Sequence, residues 1–422
     1  MNSERGTRNA VAGNSEVGAR NAEWMTVRLG DVVDINPRGE FGELKDESEV
    51  GFVPMSAVCE YRKTVVAPEI RMFADVRKGY TPMRNGDIIL AKITPCFENG
   101  KVARVNLPQD ISFGSTEFHV FRSHPEINAD LVFHLLRSDM ILQFGRARMK
   151  GAAGQKRVPS EFFRAFEFRV PRSILAQQRV ARILDAADAL RAKRREALTQ
   201  LDTLLQSTFL TLFGDPVTNP MGWPKTSIEN LVDNIDSGWS PTCLDRSATD
   251  DEWGVLKLGA VTYCEYRENQ TKALPHELTP RPEIEVRKGD LLFTRKNTYD
   301  LVAACAYVHE TRPKLMLPDL IFRIRLSKSH GTEPTFIWQQ LIFPRLRKHI
   351  QTFAGGAAGS MPNISKAKLR AIELITPPLP LQQKFAAIVE SIERQKTTQR
   401  AHLAELDALF AALQHRAFRG EL

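Results

Sequence analysis

Two long segments of the chain carry apolar residues at every third or fourth position. The first runs from residue 174 to 212 without glycine or proline, and the second runs from 385 to 413. This period predicts two long helices, each with one apolar face. Polar residues interrupt both stripes near their centres, at 191–195 and 394–399. We expect the helices to pair antiparallel, with polar centre against polar centre. In the alternative, each helix packs only on its own domain.

The regions before the two stripes predict strands and shorter helices. Asp87–Leu90 and Asp290–Phe293 are short apolar runs that follow a glycine turn, which is typical of strands. Residues 129–149 and 334–353 have the composition of helices. Each region is therefore predicted to be a mixed α/β domain.

The second half of the chain repeats the first. Four patterns recur in the same order, and their offset rises slowly from 199 to 205 residues. They are Trp24-x4-Leu29 with Trp223-x4-Ile228, Gly86-Asp87 with Gly289-Asp290, the glycine loops Gly151-Ala-Ala-Gly154 and Gly356-Ala-Ala-Gly359, and Gln177-Gln178 with Gln382-Gln383. An ordered, slowly increasing offset indicates a duplicated domain with small loop insertions.

The positive charge of the chain is concentrated in two places. The formal net charge is +8, from 58 basic and 50 acidic residues. Residues 137–182 hold eleven lysines and arginines against three acids, and residues 334–372 hold six against none. Residues 31–60 are acidic instead. Two separate basic patches favour a polyanion that the protein contacts twice.

The composition limits location and chemistry. The five cysteines lie far apart without a C-x-x-C pair, which is typical of reduced thiols, so we expect a cytoplasmic protein. No stretch has the roughly 18 apolar residues that a membrane span needs. The nine histidines lack metal-ligand spacing, and no P-loop, methyltransferase tetrad or S-adenosylmethionine glycine motif is present. We therefore expect no catalytic residues and no metal site in this chain.

Several of the repeated patterns resemble those of a known family. They are the two tryptophan openings, Ser237–Pro241 where the family has a Gly-x-Thr-Pro turn, the Gly-Asp strands, the Gln-Gln pair at each long helix, and the Gly-Glu-Leu end. Together they resemble the specificity subunit of type I restriction–modification systems. The first half departs from that pattern, since Asn36–Gly39 replaces the Gly-x-Thr-Pro turn.

The resemblance implies an α/β fold with two duplicated, mixed α/β target recognition domains. Two long helices would separate them and form an antiparallel coiled coil with pseudo-twofold symmetry. The expected segments are a disordered extension (1–22), target recognition domain 1 (23–170), a central long helix (171–215), target recognition domain 2 (216–376) and a C-terminal long helix (377–422).

The resemblance also implies a non-catalytic, sequence-specific DNA-binding subunit. Each domain would enter the major groove of one half of a bipartite site in double-stranded DNA, with the helix pair as a ruler between them. Partners would be two methyltransferase subunits, and restriction or translocase subunits where these exist. S-adenosylmethionine, ATP and Mg²⁺ would belong to those partners. The alternatives are a self-contained DNA methyltransferase or nuclease, and a coiled-coil interaction scaffold.

Two groups of polar residues are candidates for contact with DNA. The reading segments, residues 92–101 and 295–300, follow the Gly-Asp strands and hold side chains suited to base edges. Their candidate base readers are Lys92, Thr94, Asn99 and Lys101, then Arg295, Lys296, Asn297, Tyr299 and Asp300. The alternative is a surface turn with a few salt bridges. Residues after the glycine loops are candidates for contacts to the DNA backbone, namely Gln155, Lys156 and Arg157, then Ser360, Asn363 and Lys366.

Overall fold

The computed structural model describes residues 24–39, 41–42, 44–152, 154–355 and 361–422. They form two compact units. The N-terminal unit contains the described residues up to Ala197 together with Gln399–Leu422, and the C-terminal unit contains Leu198–Thr398. The predicted extension at 1–22 lies outside the described residues.

The N-terminal unit holds ten strands and five short helices, followed by the first long helix. They are β1 (Trp24–Arg28), α1 (Leu29–Val32), β2 (Val33–Ile35), β3 (Glu49–Val53), β4 (Glu69–Met72), α2 (Phe73–Val76), β5 (Thr81–Arg84), β6 (Ile88–Ala91), β7 (Val102–Arg104), β8 (Ile111–Gly114), β9 (Phe118–Ser123), α3 (Ala129–Leu136), α4 (Asp139–Ala147), α5 (Ser160–Arg164), β10 (Glu167–Pro171) and α6 (Ile174–Phe213).

The C-terminal unit has nearly the same order of elements. They are β11 (Lys225–Ser227), α7 (Ile228–Leu231), β12 (Val232–Ser237), β13 (Gly254–Leu256), β14 (Thr271–Ala273), β15 (Leu291–Thr294), β16 (Cys305–Tyr307), β17 (Leu315–Met316), β18 (Ile321–Leu326), α8 (Pro334–Ile342), α9 (Pro344–Gln351), α10 (Lys366–Arg370), β19 (Glu373–Ile375) and α11 (Leu379–Arg419). Single 3-10 turns lie at Met55–Ala57, Leu258–Ala260, Pro282–Ile284 and Lys328–His330.

The sheets confirm the duplication. One four-stranded sheet has the order β2-β9-β6-β7 in the N-terminal unit and β12-β18-β15-β16 in the C-terminal unit. A second sheet, β4-β3-β8-β5, corresponds to β14-β13-β17, and both contain one parallel pair, β3 with β8 and β13 with β17. The two-stranded pairs β1–β10 and β11–β19 complete the match.

Strands β6 and β15 are central because both faces of each strand are buried. Ile88 and Leu90 face one apolar cluster, whereas Ile89 and Ala91 face another. Alternate residues of a strand point to opposite faces, so a continuous apolar run suits a strand that lies between two cores. The glycine that precedes each strand has a left-handed backbone, with φ of 92° at Gly86. This conformation favours glycine and makes the turn that the sequence predicted.

The long helices pair antiparallel, as predicted. In the N-terminal unit the Arg191 Nε donates to Asp407 at 2.6 Å, and Arg194 donates to Gln399 at 2.6 Å. In the C-terminal unit Lys396 lies 2.8 Å from Asp202. Residues farther along α6 pair with residues earlier in α11, so the two helices run in opposite directions. The pair of Arg194 with Gln399 joins their polar centres.

Each unit takes one segment from each long helix into its core. Val180 and Leu184 of α6 and Phe418 of α11 join the main apolar cluster of the N-terminal unit. Phe209 of α6 and Phe385 of α11 do the same in the C-terminal unit. The compact units therefore divide both helices, and neither helix packs only on its own domain.

The two shorter helices expected at 129–149 and 334–353 are each divided in two. Ser138 ends the first run, because its hydroxyl accepts from the backbone N–H of Ile141 and caps a new helix, α4. Pro344 has no N–H to continue α8, so it begins α9 instead.

Candidate nucleic-acid interface

The first reading segment continues strand β6 at the edge of a short ladder. The carbonyl of Lys92 accepts from the N–H of Val158 at 2.9 Å, and the N–H of Thr94 donates to the carbonyl of Lys156 at 2.9 Å. The Thr94 hydroxyl donates to the carbonyl of Gly154 at 3.1 Å. The ladder therefore brings the candidate base readers beside the candidate backbone contacts, which are about 60 residues away in sequence.

The rest of this segment is a compact turn. Phe97 is fully buried and anchors the turn in the core of the unit. Asn99 is exposed, while the ammonium of half-buried Lys101 lies 3.4 Å from the carbonyl of Met55. Asn99 is thus presented to solvent by a turn with a rigid base.

The first glycine loop joins the segment through a tight hairpin. Gly151 has φ of 133°, and a Cβ there would lie 2.6 Å from the Gln155 carbonyl oxygen, so glycine is required. Gln155 and Lys156 are exposed. Arg157 instead binds Glu117, with its Nη2 at 2.7 Å from the carboxylate. This hydrogen bond from Arg157 lowers the pKa of Glu117, so Arg157 already has a partner within the unit.

The second reading segment has the same backbone geometry. The N–H of Arg295 donates to Leu320 at 3.1 Å, and its carbonyl accepts from Ile364 at 2.8 Å. Lys296 forms an antiparallel bridge with Asn363, as Ile93 does with Arg157. The glycine loop at 356–359 and Ser360 lie outside the described residues.

Asn297 requires a correction. Its side chain is 6% exposed, donates to the Thr262 hydroxyl at 3.2 Å and accepts from the N–H of Thr298 at 2.8 Å. An amide that is buried and bonded on both sides does not reach a base edge. Asn297 therefore positions the second reading segment.

The other candidates in this segment lie at or near the surface. Tyr299 is 54% exposed, and the Asp300 side chain is exposed while its carbonyl accepts from Arg347 at 3.0 Å. Arg295 and Lys366 are half-buried, and both cations lie over the ring of Phe322, at 5.4 and 5.7 Å from its centroid. Lys296 and Asn363 are also half-buried.

The basic patch predicted at 334–372 is less available than its sequence indicates. Arg345 pairs with Asp215, and Arg370 pairs with Glu229 at 2.6 Å. Lys368 donates to the carbonyl of Phe353 at 2.7 Å. Much of this charge therefore holds the C-terminal unit together.

A buried histidine supports the first reading segment, although no pattern in the sequence indicates it. His119 is 5% exposed, and its Nε2 lies 2.9 Å from the carbonyl of Val158, which pairs with Lys92. The amide nitrogen of Asn36 lies 3.0 Å from the Nδ1 of His119, and the side-chain oxygen of Asn36 accepts from the N–H of Val120. Burial lowers the pKa of His119. The neutral ring accepts at Nδ1 and donates at Nε2.

The Gln-Gln pairs also have a structural role that their repetition could have revealed. The first glutamine of each pair, Gln177 or Gln382, is almost fully buried. Its side-chain oxygen accepts from the N–H of Asn128 at 2.8 Å in one unit and from that of Glu333 at 3.1 Å in the other. Each glutamine therefore fixes the start of α3 or α8 to a long helix.

The structure contains neither a metal cluster nor a membrane-spanning helix in its described part. Within residues 24–39, 41–42, 44–152, 154–355 and 361–422, no group of three histidines, cysteines or acids is arranged to hold a metal ion. None of the helices in these ranges is long and apolar enough to cross a membrane.

Comparisons with known proteins agree with the duplicated fold. The family model for the type I restriction modification DNA specificity domain matches residues 21–200. The specificity subunit of the type I restriction enzyme EcoEI from Escherichia coli is 30% identical over 492 aligned positions, covering 92% of this chain and 81% of that protein. The EcoAI specificity subunit, also from Escherichia coli, is 37% identical over 186 positions, covering 43% and 30%.

Two solved structures share the fold. A chain from a type I R-M system has a TM-score of 0.50 and 22% identity, and the match covers 95% of this chain and 98% of that one. The S subunit of a type I system from M. genitalium has a TM-score of 0.52 and 12% identity, with 94% and 96% covered.

These matches define a class of multisubunit DNA-recognition proteins. The chain belongs to the specificity subunits of type I restriction enzymes. It is a non-catalytic subunit that recognises DNA and directs partner subunits of a restriction–modification complex.

Proposed function

We propose that each unit reads one half of a bipartite site in double-stranded DNA. The observation that carries this proposal is the repeated geometry of the reading segments. In both units the residue after the central strand, Lys92 or Arg295, makes the same two backbone hydrogen bonds. Two equivalent surfaces in one chain suit two half-sites.

The base readers are the polar side chains that the two segments present. They are Lys92, Thr94, Asn99 and Lys101 in the N-terminal unit, and Arg295, Lys296, Tyr299 and Asp300 in the C-terminal unit. Lysine and arginine suit guanine, asparagine suits adenine, and a carboxylate suits cytosine. The side chains that contact the DNA backbone are Gln155, Lys156, Asn363 and Lys366. Arg157 contributes to this surface while it is paired with Glu117.

The two long helices set the distance between the half-sites. They are 40 and 41 residues long. At about 1.5 Å per residue each is roughly 60 Å in length, which exceeds the roughly 34 Å of one DNA turn.

Two methyltransferase subunits bind the helices, one for each repeat, and bring S-adenosylmethionine. Restriction subunits, where the cell has them, bring ATP and Mg²⁺ chemistry. Apolar side chains of the helices such as Leu205 and Phe410 are not available for docking, because each is only 5% exposed within its own unit. Exposed leucines support docking instead, namely Leu190 at 52%, Leu204 at 51% and Leu409 at 51%. The complex works in the cytoplasm, where its DNA is found.

Methylation profiling tests the proposal directly. The chain is expressed with its methyltransferase partner, and the methylated sites in the genome give the recognised sequence. Lys296→Ala with Tyr299→Ala relaxes base choice in one half-site, by about 1–3 kcal/mol for a bidentate contact of Lys296, and leaves the other half unchanged. Lys92→Ala with Asn99→Ala relaxes base choice in the other half-site and leaves the first unchanged. Equal blurring of both halves by either variant would contradict the assignment of one half-site to each unit.

A further inference from the structure

The N-terminal unit carries three cations that the C-terminal unit lacks. The bridges of Lys150 with Arg157 and of Gly355 with Asn363 align the two units at this point. In this alignment, three residues at the end of α4 and just after it are positively charged, whereas the equivalent residues at the end of α9 and after it are not. The replacements are Arg146 by Gln351, Arg148 by Phe353 and Lys150 by Gly355.

These cations border the first reading segment. A Cβ on Gly145 would lie 2.3 Å from the ring of Phe97, so α4 packs directly on the turn of that segment. The Arg146 Nε lies 3.6 Å from the carboxylate of Glu98 in the same turn. Lys150 pairs through its backbone with Arg157. Helix α4, the turn and the hairpin therefore form one continuous surface.

Arg148 and Lys150 are exposed, and neither pairs with a carboxylate in the described part of the chain. Arg148 donates from Nη1 to the carbonyl of Phe144 at 3.1 Å, and its guanidinium lies 5.8 and 5.5 Å from the rings of Phe144 and Phe162. These contacts hold the side chain in place while it stays exposed. Lys150 and Lys156 are exposed, and neither forms a salt bridge with any residue in the described part of the chain.

Two carboxylates line the same groove. Glu161 and Glu167 line it together with Arg148 and Lys150. Glu167 pairs with Arg28 at 3.1 Å.

We propose that Arg148 and Lys150, with Arg146 and Lys156, bind backbone phosphates of the duplex that flanks the half-site of the N-terminal unit. This inference rests on the proposed function, because it extends the reading surface of that unit. The C-terminal unit has no cation at the positions equivalent to Arg146, Arg148 and Lys150. Phosphate contacts release counterions, so the N-terminal unit contributes more than its share of the salt dependence of binding.

The test measures binding of the complex with its methyltransferase to a duplex that carries the site, at several salt concentrations. Arg148→Gln with Lys150→Gln should lower the slope of log K against log salt concentration by about 2, since each lost phosphate contact lowers it by roughly 0.9. Lys45→Gln with Lys78→Gln is the control. It removes the same charge from exposed positions of the same unit and should leave the slope unchanged. Arg148→Phe with Lys150→Gly copies the C-terminal unit and should match the test variant.

Neutral methylphosphonate linkages locate the contacts. Substituted beyond the N-terminal half-site, they should weaken the wild-type complex and leave the double variant unaffected. An unchanged salt slope in a variant that binds and methylates would overturn the inference. A variant that loses the methyltransferase but shows an unchanged salt slope in the complex that does assemble would also overturn the inference, because the surface would then bind protein. Failure of the wild-type complex to bind any bipartite site would instead contradict the proposed function.

Discussion

The two units share their backbone but join the long helices through different side chains. In the N-terminal unit, His134 donates to Asp185 on α6 at 2.9 Å, and Lys63 lies 2.8 Å from the same carboxylate. The C-terminal unit has an aromatic cluster instead, in which Phe209 of α6 packs on Phe336 of α8 and on Phe385 of α11. The repeated features are the ladders, the glycine turns and the apolar alternation. Duplication thus preserved the backbone pattern, while the polar contacts diverged.

The largest difference between the units is expected at one helix position. Phe209 of α6 is 1% exposed and packs on Phe213, Phe336 and Phe385, whereas its equivalent in α11, Gln414, donates to the carbonyl of His134 at 3.0 Å. Phe209→Ala should lower the free energy of unfolding by about 3–5 kcal/mol, because it leaves a cavity. Gln414→Ala should cost only about 1 kcal/mol. Hydrogen exchange should show the first loss in the C-terminal unit, and equal losses would contradict the comparison.

The ionic contact of the N-terminal unit should give it an acid sensitivity of its own. Burial opposes ionisation of Asp185, but hydrogen bonds from His134 and Lys63 outweigh it and lower the pKa of Asp185 to about 2. A carboxylate whose pKa is about 3.9 in the unfolded chain then stabilises the folded state above about pH 4. That contribution is lost as the pH falls from about 4 towards 2.

Asp185→Asn tests this contact. Because the Asp185 side chain is 35% exposed and water screens it, we expect a loss of about 1–2 kcal/mol at neutral pH. Urea unfolding at several pH values should show that the free energy of unfolding of the variant lacks the decrease between about pH 4 and 2 that Asp185 causes in the wild type. The equivalent residue, Glu390, is 73% exposed and pairs with Arg394, so Glu390→Gln should change little. An identical response of the two variants would remove the distinction between the units.

Two asparagines of the reading segments should separate positioning from reading. Asn297→Ala should lower stability by about 1–2 kcal/mol, since it removes the hydrogen bonds that the buried amide makes with the Thr262 hydroxyl and the N–H of Thr298. Asn99→Ala should stay within about 0.5 kcal/mol of wild type because the side chain is exposed. It should nevertheless relax base choice in its half-site. Thermal unfolding and methylation profiling measure the two effects, and a stable Asn297→Ala variant would return that residue to the base readers.

The smallest expected difference is a pH effect on the first half-site. The lowered pKa of His119 means that the folded unit disfavours its protonation, so the ring stays neutral at pH 6.5 and its support for Lys92 weakens only at a pH clearly below about 6.5. The equivalent residue is Phe322, which does not titrate. Binding to duplexes with one altered half-site, measured across this range, should show the effect for the N-terminal unit alone. It should disappear in His119→Phe.

The sequence was sufficient for the elements that depend on local pattern. The long helices follow from the apolar period and the absence of glycine, and strands β6 and β15 follow from a short apolar run after a Gly-Asp turn. The division of the shorter helices was missed because one serine cap and one proline are weaker signals than a continuous apolar stripe.

Contacts between distant residues were not predictable in the same way. The burial of Asn297 depends on Thr262, which lies 35 residues away, and the support of Lys92 by His119 passes through Val158. Residue type alone identified a polar loop but not which of its side chains turn inwards. The ion pairs of Arg345 and Arg370 similarly remove charge from a patch that looks free in the sequence.

The most direct test concerns the helices as the ruler between half-sites. Four residues are inserted after Ala197 in α6 and four after Thr398 in α11, so that the contacts of Arg194 with Gln399 and of Lys396 with Asp202 are both retained. Four residues lengthen a helix by about 6 Å with little rotation, and a coiled coil absorbs such a stutter. Since base pairs rise about 3.4 Å, methylome sequencing should show a gap longer by one or two base pairs between unchanged half-sites. An active variant with an unchanged gap would contradict the ruler.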